Sequence, residues 1–149
     1  MYWAGSKAHQ CTTYAIREYT AYLTNVPADY DRGLEACKAT PLKIHDVSYL
    51  PSRCEDKGLH NIVGHWRVSH NEPDCNTYWR SRKDEGCASP GSRKRYIEYY
   101  LEMLPHGGDW NEFCATTPNP EFRFQHVPHC WQRVSSCLHC LERPLMRAL

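Results

Sequence analysis

The alternation of apolar and polar residues predicts a β-strand near the start of the chain, at residues 17–26. Tyr19, Ala21 and Leu23 fall on one face of this segment, and the intervening positions are threonine, tyrosine and other polar residues. Pro27 ends the run, since proline cannot donate a ladder hydrogen bond. The pattern therefore indicates a strand with one face against a core.

Further strands follow from the same reasoning. Residues 42–49 and 62–68 are predicted as strands on the composition and spacing of their apolar residues. By pattern alone, residues 96–104 fit a helix as well as a strand. Residues 122–127 are predicted as the counterpart of 42–49 in the second half of the chain.

Two short helices are predicted, at residues 29–39 and 109–115, and each stops before a Thr-Pro pair. The candidate N-cap residues are Asp29, Asp31 and Asp109. Each helix carries a cysteine in its last turn, Cys37 in the first and Cys114 in the second. These cysteines are placed to pin the helices to a sheet.

The chain also repeats itself. Residues 17–27 match residues 95–105 without a gap, and residues 35–41 match residues 112–118. The first match argues that 96–104 is a strand, like 17–26. Residues 58–75 have no match in the second half. The recurring cysteines are Cys11 with Cys87, Cys37 with Cys114, and Cys54 with Cys130.

These patterns predict an α+β fold of two tandem, disulfide-stapled β-α-β-β repeats related by a pseudo-twofold axis, with the second repeat incomplete. Residues 1–10 are a polar lead-in, and the first repeat spans 11–86. The second repeat is truncated and spans 87–134. Residues 135–149 diverge from the repeat and are predicted to form a disordered tail.

Nine cysteines in 149 residues favour disulfides over free thiols, because most of them are spread along the chain. The disulfide candidates are Cys11, Cys37, Cys54, Cys75, Cys87, Cys114 and Cys130. Paired cysteines imply an oxidising compartment, so we expect an extracellular protein, although residues 1–6 contain no apolar core of a signal peptide. Connectivity stays open, since four cysteines per repeat allow three pairings.

The frame of motifs resembles cysteine-rich, tandem-repeat secreted proteins of mushroom-forming (basidiomycete) fungi, over residues 11–130. The motifs that carry the resemblance are Cys-x-x-Thr-Pro after an Asp-Trp helix start, Arg-x-Tyr-x-x-x-Leu, and Gly-His-Trp-Arg-Val with a downstream cysteine. That family has no established activity, so the resemblance implies secretion and disulfides and nothing catalytic.

No catalytic or metal-binding motif stands out. His129, Cys130, Cys137, His139 and Cys140 cluster, but no second ligand pair follows at zinc-finger spacing, and we expect no metal and no cofactor. Cys-x-x-Cys is also a redox motif, yet here it lacks the strand-to-helix setting of thioredoxin-like enzymes.

Carboxylates near His65 leave a small secreted hydrolase as an alternative function. The duplicated Glu35 and Glu112 are read as helix surface rather than as a catalytic pair. We therefore expect no enzymatic activity.

Exposed aromatic and basic residues are the better functional signal, because aromatic rings stack on sugars and anchor protein partners. The candidate binding residues are Tyr78, Trp79, Arg80, Arg82, Trp66 and Trp110, although the position of Trp66 in a strand and of Trp110 at a helix start favours the core for these two. With a net charge of +1, nucleic acid is not expected as a partner, nor is a membrane.

The sequence predicts a secreted, non-catalytic binding or effector-like module, with an extracellular protein or glycan as its partner. A carbohydrate-binding module that uses exposed tryptophan and tyrosine is the first alternative.

Overall fold

The computed structural model describes residues 1–87, 90–91, 95–119, 129–133 and 143–148, with the backbone alone at 95–96, 129, 131–133 and 143–148. Strands dominate this part of the chain, so the α+β class is confirmed. The strands are β1 (Tyr2–Thr13), β2 (Ile16–Thr24), β3 (Leu42–Ile44), β4 (Val47–Tyr49), β5 (Arg53–Asp56), β6 (Ile62–Val68), β7 (Tyr78–Cys87), β8 (Arg95–Glu102), β9 (His129–Arg133) and β10 (Arg143–Ala148). The helices are α1 (Gly33–Ala39), α2 (Trp110–Thr116) and a 3₁₀ turn at Pro73–Cys75.

The chain divides into two compact units. The first consists of Met1–Gln10 and Ile16–Glu72, and the second of Cys11–Ala15 and Pro73–Leu149. The division at residues 72 and 73 differs from the one at 86 and 87 that the sequence repeat suggests. The difference arises because β7 pairs with β8 and so belongs to the second unit.

In the first unit, an antiparallel sheet has the strand order β1-β2-β6-β5. Its centre is the pair β2 and β6, in which Tyr19 lies opposite Trp66 and Ala21 opposite Gly64. Because side chains alternate between the faces of a strand, these residues all point to one face. That face is the core face, where Trp66 is only 1% exposed and Ala21 is fully buried.

Two tryptophan rings organise this core. The rings of Trp3 and Trp66 meet edge to face with centroids 4.7 Å apart, and the Trp66 indole N–H donates to the carbonyl of Tyr49. The Trp3 indole N–H donates to the carbonyl of Thr40. Burying the rings while satisfying both N–H groups avoids the cost of an unpaired buried donor.

Gly64 provides the space for these two rings. A Cβ atom at this position would lie 2.5 Å from the Trp66 ring and 2.7 Å from the Trp3 ring. We expect Gly64→Ala to destabilise the protein by about 2 kcal/mol or more, because rigid rings cannot yield as a flexible side chain can. Gly33→Ala is the comparison: its Cβ would lie 3.0 Å from the end of the Ile62 side chain, so a smaller loss is expected. Equal losses in urea denaturation would contradict this account.

Residues 42–49, predicted as one strand, form the two-stranded hairpin β3–β4 instead. His45 and Asp46 make the turn, with φ angles of 49° and 64°. Two left-handed residues in succession are typical of the tight turns that join hairpin strands. The pair lacks the glycine that usually marks such a turn, and a tertiary hydrogen bond from His45 to Glu72 holds it, so the sequence pattern did not reveal it.

The helices begin differently from one another. In α2, Asp109 is the N-cap, and its carboxylate accepts a hydrogen bond from the backbone N–H of Asn111, as predicted. In α1, the cap position is Arg32 and no side chain caps the helix, so the prediction of Asp29 or Asp31 is wrong. The first-helix aspartates lie outside the helix because it starts only at Gly33.

The second unit contains an antiparallel sheet with the order β7-β8-β10-β9. Its core is formed by Ile97, Tyr99 and Leu101 of β8 together with Phe113 and Cys114 of α2. Phe113 and Cys114 are fully buried. The strand expected at 96–104 is thus confirmed as β8, with its alternate residues in the core.

Five strands lie where the sequence did not predict them, namely β1, β5, β7, β9 and β10. The polar lead-in is part of β1, and the bridge between the repeats is β7. Both are edge strands, whose solvent-facing side chains hide the alternating pattern. Disorder predicted for 135–149 is wrong at 143–148, because β10 pairs with both β8 and β9. Residues 122–127 and 134–142 lie outside the described part.

In the part of the chain that the structure describes, no helix has the length and apolar character required to span a membrane.

Candidate functional site

Among the described residues, three disulfides join elements within the two units. Cys37 of α1 bonds to Cys54 of β5, and Cys114 of α2 bonds to Cys130 of β9. The third, Cys11–Cys75, belongs to the second unit. The prediction that the helix cysteines pin each helix to a sheet is therefore confirmed, and the chain is cysteine-rich with a disulfide framework.

Cys87 is the exception among the disulfide candidates. Among the described residues it is a free and exposed cysteine, so its predicted pairing is wrong. Its counterpart Cys11 pairs with Cys75, which lies in the stretch that has no match in the second half of the sequence. The second half of the sequence therefore has no cysteine that corresponds to Cys75.

The predicted aromatic surface at Tyr78 and Trp79 is divided between two faces. Tyr78 lies opposite Glu102 and is 46% exposed, whereas Trp79 lies opposite the buried Leu101. The Trp79 ring packs on the core of the second unit, and its N–H donates to the carbonyl of Thr117 at 3.0 Å. Neighbouring residues of a strand point to opposite faces, so the two rings cannot form one stacking platform.

The other two tryptophan candidates are Trp66 and Trp110, for which the core was the favoured position. Trp66 is buried in the first core and offers no face to a ligand. Trp110 is half-buried at the first position of α2. Aromatic composition identified both residues, but burial depends on which face of the strand or helix meets the core.

Arg80 and Arg82 are exposed on β7, on either side of a bulge at Ser81, which has a φ of 57°. Arg82 lies 4.0 Å from Asp84, and Lys83 lies 2.6 Å from Glu85. The basic side chains are therefore interleaved with acidic ones. Among the described side chains of β7, the charges are therefore of mixed sign.

A second group of polar side chains lies on the solvent-facing side of the first sheet, which we call the outer face (Glu18, Thr20, Arg53, Glu55 and His65). His65 lies opposite Thr20 on β2 and opposite Arg53 on β5. Its Nδ1 is 2.9 Å from Glu18 and its Nε2 is 3.3 Å from Glu55. The structure thus brings carboxylates to His65, as the hydrolase alternative requires.

The geometry of the outer face nevertheless fits an ion-pair network. A catalytic imidazole needs one nitrogen facing a substrate proton. Each nitrogen of His65 is within hydrogen-bonding distance of a carboxylate. The Arg53 guanidinium lies 3.1 Å from Nδ1 and 3.2 Å from Nε2. Both ring nitrogens of His65 are therefore engaged by side chains of the protein itself.

The most deeply buried charge described is Glu72, whose side chain is 4% exposed. One carboxylate oxygen accepts from Arg17 Nε at 2.8 Å, and the other accepts from Tyr19 at 2.5 Å and lies 2.7 Å from His45 Nε2. We call these four residues the Glu72 cluster. It joins β2, the β3–β4 turn and the end of the first unit.

The Glu72 cluster shifts the pKa of two of its members. Burial acts to raise the pKa of Glu72, but the hydrogen bonds from Tyr19, His45 and Arg17 outweigh it, so the pKa is lowered. Burial, followed by the hydrogen bond to the Glu72 carboxylate, raises the pKa of Tyr19 to about 12. Perturbed groups often mark active sites. Here both carboxylate oxygens are engaged, which fits a structural role.

Within the residues that the structure describes, no three His, Cys, Asp or Glu side chains are grouped to hold a metal ion. Three members of the cluster considered as a zinc site, Cys137, His139 and Cys140, lie outside these residues. Cys130 is committed to its disulfide with Cys114.

Sequence reasoning missed the partners of His65 and the whole Glu72 cluster. The signal for the first was present, because Glu18 and Thr20 occupy the polar positions of an alternating strand. Glu72 carried no local signal, since its partners lie 27 to 55 residues away. No protein-family model matches the chain, and neither a curated protein sequence nor a solved structure matches it.

Proposed function

We propose that the protein is a secreted, disulfide-stabilised, non-catalytic binding module that acts outside the cell. The observation that carries this proposal is the set of three disulfides, two of which tie a short helix to a strand. Disulfides of this kind persist in oxidising compartments and are rare in reducing ones. The resemblance to secreted fungal proteins points the same way and stays a prediction.

The size of the two units supports this interpretation. Each has a small core, and helices of seven residues are too short to be stable without tertiary contacts. Units below about 80 residues commonly need disulfides or metals to fold. A rigid scaffold of stapled sheets and short loops is typical of extracellular binding domains.

We further propose that the two units are tandem copies of one ancestral fold. Both sheets have a hairpin-linked pair followed by two later strands, in the same spatial order. The helix-to-strand disulfides span 17 and 16 residues. The shared copy is then a four-stranded sheet with one helix, in the chain order β-β-α-β-β, and the β3–β4 hairpin of the first unit lies outside it. Their pseudo-twofold relation remains a prediction.

The binding partner is proposed to be an extracellular protein, with a glycan as the alternative. Tyr78, Arg80 and Arg82 are exposed and remain candidate contacts. The glycan alternative is weakened because Trp66 and Trp79 pack in the cores. The hydrolase alternative is weakened because His65 is saturated by carboxylates.

Thiol labelling tests the proposal. Protein purified without reductant, then denatured and alkylated, is expected to carry the label at Cys87 and at none of the six bonded cysteines. Peptide mapping by mass spectrometry locates the label, and a sample reduced before alkylation is the control that labels all nine cysteines. Full labelling without reductant would show a reduced protein and remove the argument for secretion.

A further inference from the structure

We propose that a pocket beside the β5–β6 turn of the first unit binds a basic side chain, lysine or arginine, presented by a partner protein. The inference rests on the proposed function as a binding module and names the chemistry of its partner. It depends on the shape of the pocket, its charge and the exposed apolar residue at its rim.

The pocket has a volume of about 400 Å³ and lies between the loop before α1 and the β5–β6 turn. Val26, Tyr30 and Ile62 supply its apolar wall. Ile62 is buried, and Val26 and Tyr30 pack against the same core cluster. The wall is therefore fixed by the core.

Two carboxylates give the pocket its charge. Asp31 and Asp56 both line it. One oxygen of Asp56 accepts from the backbone N–H of Gly58 at 2.8 Å, and the chain offers no other hydrogen bond to Asp31 or Asp56 within its described residues. The pocket is thus negatively charged with carboxylate oxygens open to a ligand.

The basic residues next to Asp31 and Asp56 in the chain pair with carboxylates outside the pocket. Arg32 follows Asp31 in the chain but pairs with Glu35 at 3.7 Å, and Lys57 follows Asp56 but lies 3.9 Å from Glu55. Since these cations have other acidic partners, the charge of the pocket is available to a cation from another molecule. His60 lines the pocket too and is exposed.

Leu59 lies at the rim of the pocket and is fully exposed, at 101% of its reference area. Gly58, Leu59 and His60 have φ angles of 80°, 49° and 58°. The left-handed conformation is unfavourable for a leucine, and it points an apolar side chain into solvent. A partner chain in the pocket would cover Leu59.

The combination of an apolar wall and two carboxylates favours a long basic side chain over other ligands. Lysine and arginine carry an apolar stem that packs on aliphatic surfaces and a cationic end that pairs with carboxylates. Tyr30, which also lines the pocket, is an aromatic residue of the kind that can attract a cation. An acidic or neutral ligand would leave Asp31 and Asp56 without a partner.

The test is a ¹H–¹⁵N NMR titration with Nα-acetyl-lysine methylamide and Nα-acetyl-arginine methylamide. The neutral Nα-acetyl-norleucine methylamide is the control probe. We expect saturable shifts of the Tyr30, Gly58 and Ile62 amides with the basic probes, with a dissociation constant on the order of 1–10 mM. No saturation, or equal shifts with the norleucine probe, would overturn the proposal.

Asp31→Asn is expected to weaken binding of the basic probes about threefold to fivefold, the upper part of the range for an exposed ion pair. Asp46→Asn is the matched control, because it removes the same charge from a residue that is 96% exposed and does not line the pocket. An equal loss in both variants would show a general effect of net charge and contradict the site.

Thiol labelling on the same sample separates the two proposals. If the six bonded cysteines are protected and the probes do not bind, the pocket assignment fails and the proposed function is unaffected. If those cysteines react without reductant, the proposed function fails whatever the titration shows.

Discussion

Replacing Cys37 and Cys54 together with alanine is expected to lower the free energy of unfolding of the first unit by about 3 kcal/mol. The disulfide closes a loop of 17 residues, and in the chain-entropy model a loop of that size stabilises by about this amount. It also joins α1 to β5, and α1 has no side-chain cap of its own. Urea denaturation followed by circular dichroism measures the loss.

Cys87→Ala is the matched control, because Cys87 is exposed and free. We expect this variant to be as stable as the original protein. Hydrogen exchange of the β6 amides in the first unit, compared with the β8 amides in the second, assigns the loss to one unit. Unchanged exchange of β6 in the double variant would show that the disulfide does not stabilise the first unit.

Glu72→Gln is expected to destabilise the first unit by about 3 kcal/mol at pH 7. The substitution removes the charge that compensates Arg17 in a buried setting, and breaking a buried pair costs about 3–5 kcal/mol. Tyr19 and His45 both bond to one carboxylate oxygen of Glu72. In glutamine, one of the two oxygens is replaced by an NH₂ group that donates and cannot accept. Urea denaturation at fixed pH gives the difference.

The contribution of Glu72 depends on pH with a definite sign. Its pKa in the folded protein lies below the ordinary value of 4.5, so the folded state favours the carboxylate. The stabilisation is complete above pH 4.5 and is lost as pH falls through the folded-state pKa. The stability difference between the original protein and Glu72→Gln should therefore be constant above pH 4.5 and shrink as the pH is lowered below it.

Glu35→Gln is the control for this titration. Glu35 is 70% exposed and pairs with Arg32 on the surface, so its loss should cost less than about 1 kcal/mol. A difference between the original protein and Glu72→Gln that stays constant from pH 7 to pH 3 would contradict the role assigned to the carboxylate.

The two stabilising devices act at different places in the first unit. The disulfide at Cys37 fixes α1, which follows the loop that supplies Val26 and Tyr30 to the pocket, while the Glu72 cluster fixes the β3–β4 turn. The β5–β6 turn, by contrast, holds Leu59 and His60 in left-handed conformations in solvent. The exposed, left-handed conformation of this turn beside the pocket supports the proposal that it takes part in binding.

Part of the candidate chemistry was open to sequence reasoning. Each short helix has a cysteine in its last turn, and this position predicted that Cys37 and Cys114 would tie the helices to a sheet. A disulfide forms where two cysteines come close. His65 was noted, but its partners Glu18 and Glu55 were not. Which carboxylates reach an imidazole depends on strand register, and a slip of one residue reverses every side chain.

The aromatic candidates show the same limit more clearly. Composition marked Trp66, Trp79 and Trp110 as possible ligand contacts, and the first two turned out to pack in the cores. An indole has the same character in a core and at a binding surface. Only the face that it occupies distinguishes the two roles.

By itself, the sequence determined the α+β class, the strands β2, β6 and β8, the cap at Asp109 and the helix cysteines. These features depend on local chemistry: alternation, capping and spacing are properties of neighbouring residues. The tertiary structure alone decided the edge strands, the β3–β4 turn, the unpaired Cys87 and the Glu72 cluster. Those depend on residues far apart in the chain, whose contacts arise from strand order and register.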